Sequence, residues 1–454
     1  MQAQEGRSLP QMVRALPAAE GQRWVERLAA TECPALTARR ARRAEQSGAD
    51  HDPILWSHSL GSNVWDMDGN RYVDLSAGFG AAALGHRHPA VLEALSQQAA
   101  RGLHALGDLQ PSDVKVELLE RLCALSPFED ARAILGLSGS DAVGAALKTA
   151  ALATGRPGVL AFEGGYHGLA YGSLAVCGYN PGFRRPFAEQ CNPHVSFAAF
   201  PGPGDDAAEA LSQIAASWPS SSPPGAVLIE PMLGRGGVVV PPPGFLQGLG
   251  ELCRKRGALL IVDEVMTGLG RSGAWLCSVE QGARPDLVCL GKALGGGLPV
   301  SATLGSAQLM RAWGEPGGEA LHTSTFAGNP LGAATALATL QVLEQQRLSE
   351  RSAQLGQHLM ARLSEALLGA PELGVREVRG RGLLVGIVCD STARALQLGR
   401  ALLQRGYITV PAGSDARVVS LTPALTIDGA LLEAFVEATR EALGELAARQ
   451  GASP

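Results

Sequence analysis

ALLIVDEVMTGLGRSGAWLCSVEQGARPDLVCLGKALGGGLPVSA, residues 258–302, holds two short apolar runs that each end in charge: Asp263 and Glu264 after the first, Lys292 after the second. Brief aliphatic runs bounded by turn residues read as strands buried on both faces. Outward from this pair the same form recurs in ARAILGLS, GVLAFEG and AVLIEPM, with helical patterns between them from about residue 85. Strands alternating with helices predict an α/β chain with a doubly wound, mostly parallel sheet covered on both faces.

Beyond this core the pattern changes. NVWDMDGNRYVDLSAG alternates apolar and polar residues around Asp68-Gly69, a hairpin signal. After FAGNP a single long helical run, LGAATALATLQVLEQQRLSERSAQLGQHLMARLSEALLG, leads into a smaller α+β region. There VREVRGRGLLVGIVC and RVVSLTPALTI read as strands between two helices. These changes divide the chain into an N-terminal segment with the hairpin (1–75), a large domain (76–330) and a C-terminal part (331–454), the first and last together forming the small domain.

The bulk numbers exclude several classes. A chain of 454 residues, 46% hydrophobic and 18% charged, is long enough for more than one core. Its net charge of −5 gives no basic surface for nucleic acid or anionic membrane. The run ARRARRAEQ is brief and flanked by acids, so it reads as a solvated helix face. Eight scattered cysteines without a CxxC pair or a cysteine–histidine cluster predict reduced thiols, with no disulfide framework and no metal site. The N-terminus lacks an apolar leader and no window suits a membrane span. The expected location is the cytoplasm.

Lysine is scarce: Lys115, Lys148, Lys255 and Lys292 stand against 34 arginines. An ammonium kept among apolar residues suggests work a guanidinium cannot do. Burial lowers a lysine's pKa and makes its amine a usable nucleophile, although a snorkelling structural lysine fits the same pattern. Three further features fall where parallel strands should end, the edge at which open α/β sheets bind ligands. In LSGSDAVGAALKTAALA (137–153) a tight turn opens a helix, which suits a phosphate or a plain N-cap. In FEGGYHG (162–168) Tyr166 and His167 follow two glycines, a place for a ring over a flat ligand or for an ordinary loop aromatic. Asp263 and Glu264 deliver one carboxylate to the sheet edge, toward a protonated ring nitrogen or a surface turn. Phosphate cup, stacking ring, carboxylate and amine are together what pyridoxal 5′-phosphate requires of a protein.

With these residues in place, the chain resembles the class III, fold-type I pyridoxal-phosphate aminotransferases, the group of 4-aminobutyrate, ornithine and other ω-aminotransferases and glutamate-1-semialdehyde aminomutase. The likeness runs over roughly residues 60–440, through ALGHRHP, SGSDA, YHG, IEP, DEVMTGLGRSG, LGKALGGGLP, TSTFAGNPLGAA and RGRGLLVG. The resemblance implies Lys292 as the Schiff-base lysine and Asp263 as partner of the pyridine nitrogen. It implies Gly139 and Ser140 on the phosphate, Tyr166 and Val265 on the two ring faces, and Glu230 near the cofactor. Thr325 would reach the cofactor phosphate of a neighbouring subunit, which implies a homodimer. Phe79, Arg235 and Ser420 would stand about the substrate.

The departures from the family concern the substrate. LGRGG places Arg235 where a glutamate is common, and VVSLTPALTI places Ser420 where an arginine typically binds a substrate carboxylate. Leu169 follows YHG where 4-aminobutyrate enzymes carry an arginine, and Met266 replaces a common glutamine. The reaction implied is amino-group transfer between an amine or amino acid and a carbonyl compound by ping-pong chemistry. Racemisation or aminomutation on the same fold is the alternative.

Overall fold

A computed structural model of the chain describes residues 6–34, 38, 45, 54–314 and 320–451. The basic run ARRARRAEQ lies largely outside the described residues. The chain divides into two compact units, one of Met1–His88 with Arg351–Pro454, the other of Pro89–Glu350. These divisions fall later than the changes read near residues 75 and 330. The reason at the second is packing: the helix Pro330–Gln345 lies on the helices Pro89–Arg101 and Asp113–Ala124 of the larger unit.

In the smaller unit Trp56–Leu60 (β1), Asn63–Asp66 (β2) and Arg71–Asp74 (β3) form an antiparallel meander. The Asp68-Gly69 hairpin is present: Asp66 Oδ1 accepts the N–H groups of Asp68 and Asn70 at 3.0 and 2.8 Å, and Gly69 takes φ +86°. Such carboxylate-to-backbone bonds close a turn, and glycine supplies the positive φ without steric cost.

The larger unit is built on seven strands: Ala131–Gly136 (β4), Gly158–Phe162 (β5), Val195–Ala198 (β6), Pro224–Ile229 (β7), Leu259–Asp263 (β8), Leu287–Leu290 (β9) and Ser301–Ser306 (β10). Their order is β4-β10-β9-β8-β7-β5-β6, with every strand parallel except β10, which runs antiparallel between β4 and β9. Alternate residues of each strand feed opposite cores. Leu160, Phe162, Val227, Ile229, Leu260 and Val262 pack with Phe245, Leu246 and Leu249. Their neighbours Val159, Ala161, Ala226, Leu228 and Ile261 pack on Val143, Ala146 and Ala150 of the helix Gly139–Thr154. Both faces are thus covered, which is why these strands read as continuous apolar runs. The six parallel strands (β4, β5, β6, β7, β8 and β9) end on one edge.

The smaller unit resumes in Val375–Arg381 (β11), Leu384–Cys389 (β12), Tyr407–Ile408 (β13), Val410–Ala412 (β14) and Val418–Leu421 (β15). β13 joins β3 in parallel, and the others form an antiparallel sheet in the order β11-β12-β15-β14. The long helical run is two helices, Pro330–Gln345 and Leu348–Leu367, parted at Arg347 with φ +49°.

Candidate active site

The site grows from the strand ends of the larger unit. β8 stops at Asp263, whose Oδ1 accepts the Val265 N–H at 3.0 Å and whose Oδ2 lies 2.8 Å from His167 Nδ1. Both residues are buried. A carboxylate only accepts, so the Nδ1 of His167 carries the proton. Glu264, one residue on, turns to other partners: it accepts the Ser278 N–H at 2.7 Å and the Thr267 hydroxyl. Burial pushes its carboxyl above the usual range. Of the two acids at this strand end, Asp263 is the one that reaches the cavity described next.

Lys292 follows β9 in the left-handed region, φ +43°. A non-glycine residue held there is strained, and such strain gathers at functional sites. Its Nζ lies 3.4 Å from Met266 Sδ, a weak acceptor that does little for an ammonium. Loss of hydration pushes the amine below the ordinary lysine range, against the pull of Glu230 and Asp263 and aided by the charges of Arg235 and Arg271.

β4 leads to the helix Gly139–Thr154, capped by Ser138, whose hydroxyl accepts the Asp141 N–H at 3.1 Å. Gly139 and Ser140 open the helix, and N–H groups at such a start face outward to anions. The Ser140 hydroxyl bonds that of Ser173 and accepts the Ala170 N–H at 3.2 Å. After β5 comes the Tyr166 loop; after β7 comes Glu230. Glu230 ties two loops together, accepting the Tyr166 N–H on Oε1 at 2.8 Å and the Gly234 N–H on Oε2 at 3.0 Å. Its burial raises its pKa.

These elements enclose a cavity of about 150 Å³, lined by Gly139, Ser140, Tyr166, Glu230, Arg235, Asp263, Val265 and Lys292, with His167, Gly168 and Met266 completing it. The first eight are residues singled out in the sequence. The other three candidates are not among the residues of this lining. Thr325 stands exposed on a turn of the larger unit. Phe79 is 61% exposed in the smaller unit, within Ala77–Gly80, four successive residues of positive φ. Asp74 Oδ1 holds the start of that segment through the Ser76 and Ala77 N–H groups, at 2.8 and 3.1 Å. Ser420 is half-buried mid-way along β15, between β12 and β14. His167 is a lining side chain, bonded to Asp263, that the sequence reading left without a role; its signal was adjacency to Tyr166.

The residues present fit pyridoxal 5′-phosphate. A Cβ on Gly139 would stand 2.8 Å from Val265 Cγ1, and one on Gly168 would stand 2.6 Å from Ser140 Oγ, so glycine at both positions lets the helix start and the two loops close together around the cavity. The donor set matches as well: a helix start with a hydroxyl, a carboxylate, an aromatic ring and an amine of lowered pKa around one space.

The fold and this cavity define a pyridoxal-phosphate-dependent transferase of fold type I. The family description Aminotransferase class-III matches residues 45–443, and the chain belongs to that family. It is 35% identical over 397 residues to the acetylornithine aminotransferase of Methanothermobacter thermautotrophicus, covering 87% of this chain and 95% of that protein. It is 39% identical over 390 residues to the acetylornithine aminotransferase of Mycobacterium bovis, covering 85% and 90%. The ornithine aminotransferase of Toxoplasma gondii, solved with partial occupancy of pyridoxal phosphate at its active site, shares 28% identity and a TM-score of 0.78 over 95% of this chain and 99% of its own. The chain is a pyridoxal-phosphate-dependent aminotransferase; the racemase and aminomutase alternatives find no support among these relatives. No described helix is long and apolar enough to cross a membrane, and no cluster of three or more potential metal ligands occurs among the described residues.

Proposed function

We propose that amino transfer runs at this one cavity, with Lys292 as the reacting amine and the other lining residues in fixed supporting roles. The observation that carries the reading is the convergence of Lys292, Asp263 and the Gly139–Ser140 helix start on a single space. When bound, the cofactor supplies an aldehyde that condenses with amines and a ring that draws electrons from the substrate carbon. Gly139 and Ser140 hold the phosphate through the helix start. Tyr166 and Val265 confine the ring from its two faces. Asp263 keeps a proton on the ring nitrogen, and the His167 bond fixes which carboxylate oxygen faces it. Lys292 Nζ takes and returns the proton at the substrate carbon, and its lowered pKa leaves it neutral more often than an ordinary lysine. Glu230 sets the position of Tyr166 through its backbone.

The enzyme works as a homodimer in the cytoplasm, Thr325 reaching the partner's phosphate. Its exposed turn, flanked by exposed Leu321 and Phe326, and the chain's eight free cysteines support this reading. Borohydride reduction of the holoenzyme followed by peptide mass analysis tests the central role: the cofactor mass belongs on Lys292, and finding it on Lys115, Lys148 or Lys255 refutes the reading. Mixed dimers test the partner's role. A Thr325→Ala chain paired with a Lys292→Ala chain should bind cofactor normally at its intact lysine, because the threonine comes from its companion. Weak binding there would place Thr325 in its own site.

A further inference from the structure

Arg235 lines the cavity, yet none of the cofactor-holding roles above uses it. Its guanidinium carbon stands 4.2 Å from the ring centre of Tyr166 and 4.7 Å from that of Tyr179, with Phe183 at 5.9 Å. The rings brace one another as well: Tyr166 meets Tyr179 edge-on and Tyr179 stacks on Phe183. A guanidinium held by aromatic faces keeps its in-plane N–H groups available, and those form a fork that matches a carboxylate with two parallel bonds. Among the described residues no acid makes an ion pair with Arg235. Glu230, the acid nearest in sequence, has both oxygens engaged by backbone N–H groups. Arg235 and Lys292 are the two Lys/Arg side chains lining the cavity. An anion drawn to Arg235 is therefore brought into the space where the reacting amine works.

We propose that Arg235 is the substrate-carboxylate anchor, and that the enzyme takes amino and oxo compounds bearing a single carboxylate. The proposal rests on Lys292 being the reacting amine. One fork accommodates one carboxylate. Among the described residues lining the cavity the other cation is Lys292, which the reaction itself takes up, so none is left there to pair with a second carboxylate. The rings also hold the arginine in one place before substrate arrives, so little side-chain freedom is lost on binding.

Calorimetric titration of the holoenzyme with 3-phenylpropionate and with its uncharged counterpart 3-phenylpropan-1-ol tests the anchor without knowledge of the natural donor. The acid should bind about tenfold or more tighter than the alcohol, as expected for a charge-assisted hydrogen-bond pair. Arg235→Ala should erase that preference while the visible cofactor band persists, and Arg235→Lys should restore part of it. If Arg235→Ala loses the cofactor band, Arg235→Met, which keeps a long uncharged stem, takes its place. A variant that keeps its cofactor and still prefers the acid overturns the proposal, as does wild-type enzyme that binds both probes alike. The borohydride label reports separately: a label on another lysine refutes the reading of Lys292, whatever the probes show.

Discussion

Asp263 and Arg235 line the same cavity and are held in unlike ways. Asp263 leaves the end of a strand buried on both faces, and each of its oxygens has a partner within 3.0 Å. Arg235 sits on the loop after β7, steadied by ring faces. The floor is fixed by strand register and hydrogen bonds, which tolerate little change. The wall is fixed by stacking, which admits other side chains without disturbing the sheet. Chemistry belongs on the first and substrate choice on the second.

Changes to the floor should therefore alter turnover or cofactor, and changes to the wall should alter substrate affinity alone. The largest effect is expected from Asp263→Asn, which removes the charge proposed to keep the ring nitrogen protonated; turnover in single-turnover assays should fall about 10³-fold with cofactor still bound. His167→Gln should follow, at about 10- to 100-fold, since it loosens the partner that orients Asp263. Gly139→Ala drives a methyl to within 2.8 Å of Val265 Cγ1 and should weaken cofactor binding about tenfold in an absorbance titration of the apoenzyme. Adding Val265→Ala should recover much of that loss, because the two positions share one contact.

A pH effect of smaller size follows from Lys292. In the apoenzyme its amine titrates below the ordinary value of 10.5, because burial disfavours the charged form. Its contribution to stability is full above pH 10.5 and is lost as pH falls through the lowered value. The rate at which apoenzyme captures the cofactor aldehyde should rise with pH and level off below 10.5. A rise that continues through 10.5 would contradict the lowered pKa. The smallest effect belongs to the wall: Tyr179→Leu should weaken 3-phenylpropionate binding about threefold, the value of one partly exposed cation–π contact, and leave the cofactor spectrum unchanged. A change in the spectrum would break the division between floor and wall.

Much of the floor is legible in the amino-acid order because each chemical residue closes an apolar run. Lys292 and the Asp263-Glu264 pair stand out this way. Which of the two acids faces the cavity does not, since that depends on where β8 ends. His167 finds its partner 96 residues further on, a distance no local pattern spans. The rings around Arg235 come from Tyr166, Tyr179 and Phe183, which look like ordinary loop and helix aromatics until the fold gathers them. The antiparallel β10 has the same apolar form as its parallel neighbours. The helix break at Arg347 carries no glycine or proline to announce it.

Glu230 also bears on the order in which the chain assembles. Its two bonds join the Tyr166 loop, 64 residues before Glu230, to the Gly234 loop, segments that follow neighbouring parallel strands. Neither loop can settle until β5 and β7 have paired, and a slip of one residue in that pairing would turn Glu230 toward the opposite face. Long-range parallel pairing is among the slower events of folding. The cofactor's seat is thus completed no earlier than the pairing of β5 with β7, and a substitution that slows that pairing should delay cofactor uptake by refolding protein by the same factor.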